Sequence, residues 1–161
     1  MVISAKHNIY NIALKSINNE NIDLNNFRGK YMLFVNVASY CGFTHQYTAL
    51  QNLYETYDSL EVIGLPCNQF LFQEPFSNKK IKKFCELNYN ITFLMTEKIY
   101  VKGKGQHDIY KWLTNKNLNG LNDSVVKWNF QKYLVGKEGG LIDFFNSKIS
   151  PLSEQITKHL N

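Results

Sequence analysis

Cys41 lies in the run Asn36-Val37-Ala38-Ser39-Tyr40-Cys41-Gly42-Phe43-Thr44, where a β-rich apolar segment gives way to a helical pattern. A thiol attacks as its thiolate, and a free cysteine has a pKa of about 8.5, so only about a few per cent is ionised at neutral pH. Helix N-termini lower that value, because their unpaired N–H groups and the positive end of the dipole favour an anion. Tyr31 to Val37 reads as a core strand, and Thr44 stands where it can cap the following helix. The expectation is a reactive thiol held at a helix N-terminus.

The elements that must position Cys41 follow from periodicity. A short hairpin is expected over Ile9 to Leu24, turning around Asn18-Asn19. After the strand at Tyr31 to Val37, apolar residues Tyr47, Leu50, Leu53, Tyr54 and Tyr57 recur at helical spacing, which predicts a helix from about His45 to Tyr57. Leu60 to Leu65 reads as a second strand. Pro75 and Ser77 open a helix running to about Asn88, and Gln106 to Thr114 reads as a third. Gly136-Lys137-Glu138-Gly139-Gly140 is a tight turn between Phe130 to Val135 and Leu141 to Phe145, a β-hairpin. A last helix is expected after Ser150-Pro151. The order places the chain in the α/β class.

A chain of 161 residues with 44% hydrophobic content can bury one good core, so a single domain over residues 1–161 is expected. No apolar run approaches a membrane span, and Met1-Val2-Ile3-Ser4-Ala5-Lys6-His7 lacks the pattern of a secretory leader. A cytoplasmic protein is the default. Three cysteines do not make a disulfide framework, and an odd number leaves a free thiol. The excess of 18 basic over 13 acidic residues is dispersed and comes with no nucleic-acid motif. Lys79-Lys80 and Lys82-Lys83, interleaved with Ile81, Phe84 and Cys85, read as the solvated face of a helix, with a smaller chance of steering an acidic partner. His7, His45, His107 and His159 are scattered, which supports neither a zinc site nor a Cys/His dyad.

Three blocks then fall in order: the Asn36 to Thr44 run, Gly64-Leu65-Pro66-Cys67-Asn68-Gln69-Phe70-Leu71-Phe72-Gln73-Glu74-Pro75, and Lys127-Trp128-Asn129-Phe130-Gln131-Lys132-Tyr133-Leu134-Val135. Together they resemble the glutathione peroxidase family, from about Tyr10 to the C-terminus. The resemblance implies a thioredoxin-like fold, a central mixed sheet flanked by helices with an N-terminal β-hairpin. It implies Cys41 as the peroxidatic residue, where some relatives carry selenocysteine, supported by Gln73, Trp128 and Asn129. A thiolate attacking an O–O bond needs a donor for the departing oxygen, and two amides with an indole N–H are neutral donors that hold no metal or cofactor. Lowering a thiol pKa by two units needs about 2.7 kcal/mol, within reach of two or three such bonds. Taken singly, Trp128 reads better as a core aromatic, Asn129 as a turn residue and Gln73 as a surface side chain; taken together, the three read as the supporting donors. Cys67, after Pro66, reads as structural.

Cys85 lies in Lys83-Phe84-Cys85-Glu86-Leu87-Asn88-Tyr89, which resembles the resolving-cysteine segment of the thioredoxin-dependent members. The implied cycle reduces hydrogen peroxide or organic and lipid hydroperoxides through a Cys41 sulfenic acid and a Cys41–Cys85 disulfide, with thioredoxin as reductant. Ile81, Phe84 and Cys85 sit at i, i+3 and i+4, so Cys85 should pack inward and the helix should have to unwind for the bond to form. A glutathione-dependent cycle and a redox relay passing its disulfide to a partner protein are the alternatives. Leu71-Phe72 stands where relatives commonly have Gly-Gly or Gly-His, which puts the aim of Gln73 in question. His45 and Leu94 replace prolines of the family pattern. The short Asn115 to Lys127 connection lacks the insertion that builds tetramers in some relatives, and implies a monomer with an open active-site face.

Overall fold

The computed structural model describes residues 7–160, so the reading of Met1–Lys6 lies outside the described residues. The N-terminal hairpin is short: β1 (Leu14–Lys15) pairs antiparallel with β2 (Asn21–Ile22). Its turn is held by the Ser16 hydroxyl, which accepts from the N–H groups of Asn18 and Glu20, and by Asn19 at φ 64°, a conformation asparagine tolerates.

A five-stranded sheet follows in the order β5-β4-β3-β6-β7. At its centre β3 (Tyr31–Val37) runs parallel to β4 (Leu60–Pro66) and antiparallel to β6 (Lys132–Val135). The edges are β5 (Leu94–Met95), parallel to β4, and β7 (Leu141–Phe145), antiparallel to β6. The sheet is therefore mixed. The helices are α1 (Gln46–Thr56), α2 (Asn78–Tyr89), α3 (Asp108–Thr114), α4 (Lys116–Asn119) and α5 (Glu154–Thr157). Neither β5 nor α4 was legible in the apolar pattern, since runs of two and four residues carry no period.

Both faces of β3 are covered, which explains its nearly unbroken apolar sequence. Side chains alternate across a strand, so its residues divide between two apolar layers. Met32 and Phe34 join Leu65, Cys67, Trp112 and Tyr133 in one. Leu33, Val35 and Val37 join Tyr47 and Leu50 of α1, Ile81 and Cys85 of α2, and Cys41 in the other.

Two boundaries depart from expectation for local reasons. Helix α1 begins at Gln46, and its N-cap residue His45 makes no side-chain capping bond. Thr44 does not cap it, because its hydroxyl donates to the Ala38 carbonyl at 2.8 Å and accepts from the Cys41 N–H at 2.9 Å. The β6–β7 hairpin starts at Lys132 and not at Phe130, because Phe130 turns into the left-handed region at φ 64° and its N–H donates to Asn36 O.

Candidate active site

Cys41 sits in a series of tight turns between β3 and α1, five positions before the first residue of α1, and is 8% exposed. The Thr44 N–H donates to Cys41 O at 3.0 Å, and Thr44 Oγ1 ties the same turn to the end of β3. The nearest donor to the sulfur is the Phe43 N–H, 3.3 Å from Sγ. This N–H belongs to the turn before α1 and not to the helix N-terminus, so Cys41 stands ahead of the helix end where the sequence places it.

Gln73 and Asn129 come together across the site. Asn129 is fully buried, and its Nδ2 donates to Gln73 Oε1 at 3.0 Å. Two hydrogen bonds, one between backbone groups and one from a side-chain amide, tie this pair to the segments around Cys41. The Tyr40 N–H donates to Gln73 O at 3.0 Å, and Asn36 in β3 donates from Nδ2 to Trp128 O at 3.1 Å. Trp128 is half-buried, with its ring 5.6 Å from that of Phe70, and packs against both apolar layers. Trp128 also lines a groove with Phe43, Lys127 and Lys148, beside the residue whose N–H faces the Cys41 sulfur.

The substitution at Leu71-Phe72 does not turn Gln73 away. Phe70 to Gln73 form a turn closed by the Gln73 N–H on Phe70 O at 3.3 Å, with φ 53° at Leu71 and 54° at Phe72. Positive φ at both central positions is the mirror-image turn class that Gly, Asn and Asp ordinarily fill. Two bulky residues there cost about 1–2 kcal/mol each. Both side chains point to solvent, 75% and 78% exposed, while Phe70 and Gln73 point inward.

Glu74 and Ser39 are site neighbours that the sequence did not single out. The Glu74 side chain has no exposed surface, and both its oxygens accept from Ser39 Oγ at 2.9 Å. This joins the loop carrying Cys41 to the one carrying Gln73. Burial raises the Glu74 pKa to about 7, against the opposing pull of the Ser39 bonds and of Lys98. The Lys98 ammonium is committed elsewhere, donating to the carbonyls of Glu74 and Phe76. A buried acid one residue from Gln73 has no signature in a single sequence, since its partner lies 35 positions away.

The three cysteines are unpaired. Cys85 faces inward as its spacing predicts, 1% exposed on α2, which buries only Ile81 beside it. Its pKa is pushed up to about 11, first by burial; the Tyr47 hydroxyl against its sulfur opposes this, and the charges of Glu74 and Glu86 add to it. Cys67 is fully buried in the opposite layer, and burial raises its pKa too. His107 caps α3 through Nδ1, and His45 Nδ1 bonds Gly42 O. Among the described residues no three His, Cys, Asp or Glu side chains gather as a metal-ligand set, and no helix is long and apolar enough to cross a membrane.

The sequence model of the family described as glutathione peroxidase matches residues 9–114. The chain belongs to the glutathione peroxidase family. It is 41% identical over 157 residues to a glutathione peroxidase of Lactococcus lactis, covering 95% of this chain and 99% of that one. Identity to the glutathione peroxidase-like peroxiredoxin HYR1 of Saccharomyces cerevisiae is 45% over 137 residues, 83% of this chain and 84% of the other. The hydroperoxy fatty acid reductase of Synechocystis is 39% identical, with 94% of each chain covered. Among solved structures, the apo form of Trgpx superposes with a TM-score of 0.74 at 32% identity, covering 97% of both chains. A thioredoxin-family thiol:disulfide interchange protein of Chlorobium tepidum gives 0.64 at 9% identity, covering 100% of this chain and 99% of that one. That likeness makes the fold thioredoxin-like.

Proposed function

We propose that this peroxidase of the glutathione peroxidase family reduces hydroperoxides through Cys41 and recovers through Cys85 and thioredoxin. The Cys41 thiolate attacks one peroxide oxygen; the S–O bond forms as the O–O bond breaks, and the departing alkoxide or hydroxide takes a proton to leave as alcohol or water. Gln73, Asn129 and Trp128 supply neutral donors to the thiolate and to the departing oxygen. The Cys85 thiolate then attacks the Cys41 sulfenic sulfur, the S–S bond forms, and the hydroxyl leaves as water. A dithiol protein exchanges with that disulfide and becomes oxidised itself, returning both thiols.

The observation that carries this reading is the sorting of the cysteines. Cys41 and Cys85 are buried in one apolar layer and Cys67 in the other, on the far side of the sheet. In the reduced fold Cys85 is poorly suited to attack, because at pH 7 a thiol of pKa about 11 is ionised in roughly one molecule in ten thousand. Unwinding α2 exposes the thiol, restores its ordinary acidity and frees it to move. The helix is suited to that opening, with two buried side chains in 12 residues. The relative named a peroxiredoxin supports a protein dithiol as reductant, and the one named a hydroperoxy fatty acid reductase supports lipid-derived substrates.

The test is to oxidise the protein with one equivalent of hydrogen peroxide, block free thiols and map peptides by mass. A Cys41–Cys85 disulfide that thioredoxin reverses is the expected result. A sulfenic acid or mixed disulfide at Cys41 that only glutathione reverses, with Cys85 still a thiol, would replace this cycle with the glutathione-dependent one.

A further inference from the structure

The resolving step leaves two protons unassigned. Cys85 must lose one before its sulfur can attack, and the hydroxyl on Cys41 must gain one to leave as water. Gln73, Trp128 and Asn129 are neutral donors, and none of them is a base. Opening α2 returns Cys85 to the ordinary acidity of a thiol, at which only about a few per cent is thiolate at neutral pH. Among the described residues Glu74 is the one buried carboxyl, and the oxidation of Cys41 gives it no part.

The backbone of Glu74 is pinned on both sides, its N–H on Asn68 Oδ1 at 3.0 Å and its carbonyl under Lys98 Nζ at 3.3 Å. Ser39, two positions before Cys41, sets one hydroxyl 2.9 Å from each carboxyl oxygen. That hydroxyl has a single proton to give. The carboxylate takes it on one oxygen, while the neutral acid accepts with one oxygen and donates to Ser39 with the other. Both charge states fit the same geometry, so the carboxyl can be loaded and unloaded without rearrangement. Toward α2 its charge reaches the Cys85 thiol and the Tyr47 hydroxyl, and opposes the ionisation of both. Tyr47 cannot serve as the base, because burial holds its phenol well above the usual range and keeps it neutral. The other charges at hand are Glu86, which faces Cys85 from α2 itself, and Lys98, whose ammonium is spent on the carbonyls of Glu74 and Phe76.

We propose that Glu74 is the proton carrier of the resolving step, with Ser39 as the residue that positions it. As Cys85 comes up to Cys41, the Glu74 carboxylate takes the thiol proton. The Cys85 sulfur attacks the sulfenic sulfur, and the S–S bond forms as the S–O bond breaks. The departing hydroxyl then takes the proton from Glu74 and leaves as water. The sulfenic sulfur is reduced and the Cys85 sulfur oxidised to the disulfide level, and Glu74 ends as the carboxylate it began as. A proton carrier works best with a pKa near the working pH, and burial brings Glu74 to about 7. This step rests on the Cys41–Cys85 cycle proposed above and assigns its second half a group that the first half does not use.

The experiment mixes the whole protein with one equivalent of hydrogen peroxide, quenches with acid at timed intervals from pH 5 to 9, and counts Cys41 sulfenic acid and Cys41–Cys85 disulfide by mass. In wild type the rate of disulfide formation should rise through about pH 7, as Glu74 ionises. Glu74→Gln keeps the shape without the base. At pH 7 it should slow disulfide formation by about 10- to 100-fold, far more than it slows the oxidation of Cys41. Its rise should move to the ordinary thiol range of about 8.5, so that the gap to wild type closes to about threefold at pH 9. Ser39→Ala removes the bond that lowers the Glu74 pKa, and should shift the rise upward from about 7. Equal rates in Glu74→Gln and wild type at pH 7 overturn the proposal, as does a deficit that persists undiminished at pH 9, which marks a structural role. Should Glu74→Gln not fold, a profile in Ser39→Ala that coincides with wild type overturns it as well. A wild type that forms no Cys41–Cys85 disulfide at any pH removes the cycle itself, and this step with it, which tells the two failures apart.

Discussion

Asn129 Nδ2 and Gln73 Oε1 meet at 3.0 Å across 56 positions of sequence, joining the two segments that flank Cys41. The bond orients both amides at once: Gln73 uses its oxygen on Asn129, which leaves its NH₂ group free to donate elsewhere. Asn129→Ala should therefore disturb two donors and leave a carbonyl without its partner. The expected loss is about 10- to 100-fold in the rate of Cys41 oxidation by peroxide, with little change in reduction by thioredoxin. Stopped-flow traces of the two half-reactions check it, and equal oxidation rates in variant and wild type would reduce Asn129 to a packing group.

Cys41→Ser should abolish peroxide turnover and leave the fold intact. The side chain is small, and its turn is held by backbone groups and Thr44, none of which the change removes. A normal circular dichroism spectrum with appreciable residual turnover would move the nucleophile elsewhere.

Much of this arrangement was legible before the structure, for reasons that differ by element. The bounds of β3 agree with expectation because a strand buried on both faces writes itself as an apolar run. The inward face of Cys85 was legible as a helical period. What the sequence concealed is polar and long-range. Thr44 reads as a cap by type and position, yet its hydroxyl is used to hold the Cys41 turn, a choice set by how closely Ala38 approaches. Glu74 and Lys132 are charged residues inside the core whose partners are Ser39 and the carbonyls of Ser147 and Ile149, and no periodicity reports such pairings. The Leu71-Phe72 substitution was visible as a departure, but not the outcome, in which the turn keeps its shape and expels both side chains.

Glu74 and Lys132 predict an unusual dependence of stability on pH. The folded pKa of Glu74 is raised to about 7, so its contribution is present at low pH and is lost as pH rises from the unfolded carboxyl value through about 7. Lys132 is fully buried, and burial alone lowers its pKa to about 7. Its contribution is present above the unfolded lysine value and is lost as pH falls toward about 7. The two together place a minimum of stability near neutrality. Denaturant melts from pH 5 to 10 should show it, with Glu74→Gln flattening the acid arm and Lys132→Met the alkaline arm. Superimposable profiles for either variant and wild type would show that the residue does not titrate with folding.

The last prediction concerns what α2 must do for Cys85 to act. Ser77 caps the helix by accepting from the Lys80 N–H, and Asn90 ends it in the left-handed region, with its N–H on the carbonyls of Cys85 and Glu86. The Cys85 carbonyl is thus part of the C-terminal cap, and moving Cys85 toward Cys41 breaks that cap along with the last turns. Oxidation by one equivalent of peroxide should therefore speed amide exchange across Ser77 to Asn90 while β3 and β4 stay protected. Cys85→Ser should show no such change, should accumulate Cys41 sulfenic acid and should lose thioredoxin-supported turnover. Cys67→Ser, in the other layer, should keep most activity at a cost of about 1 kcal/mol in stability for a buried hydroxyl. Fast exchange in α2 with Cys85 replaced would mean that the helix opens for another reason, and normal turnover by Cys85→Ser would remove it from the cycle altogether.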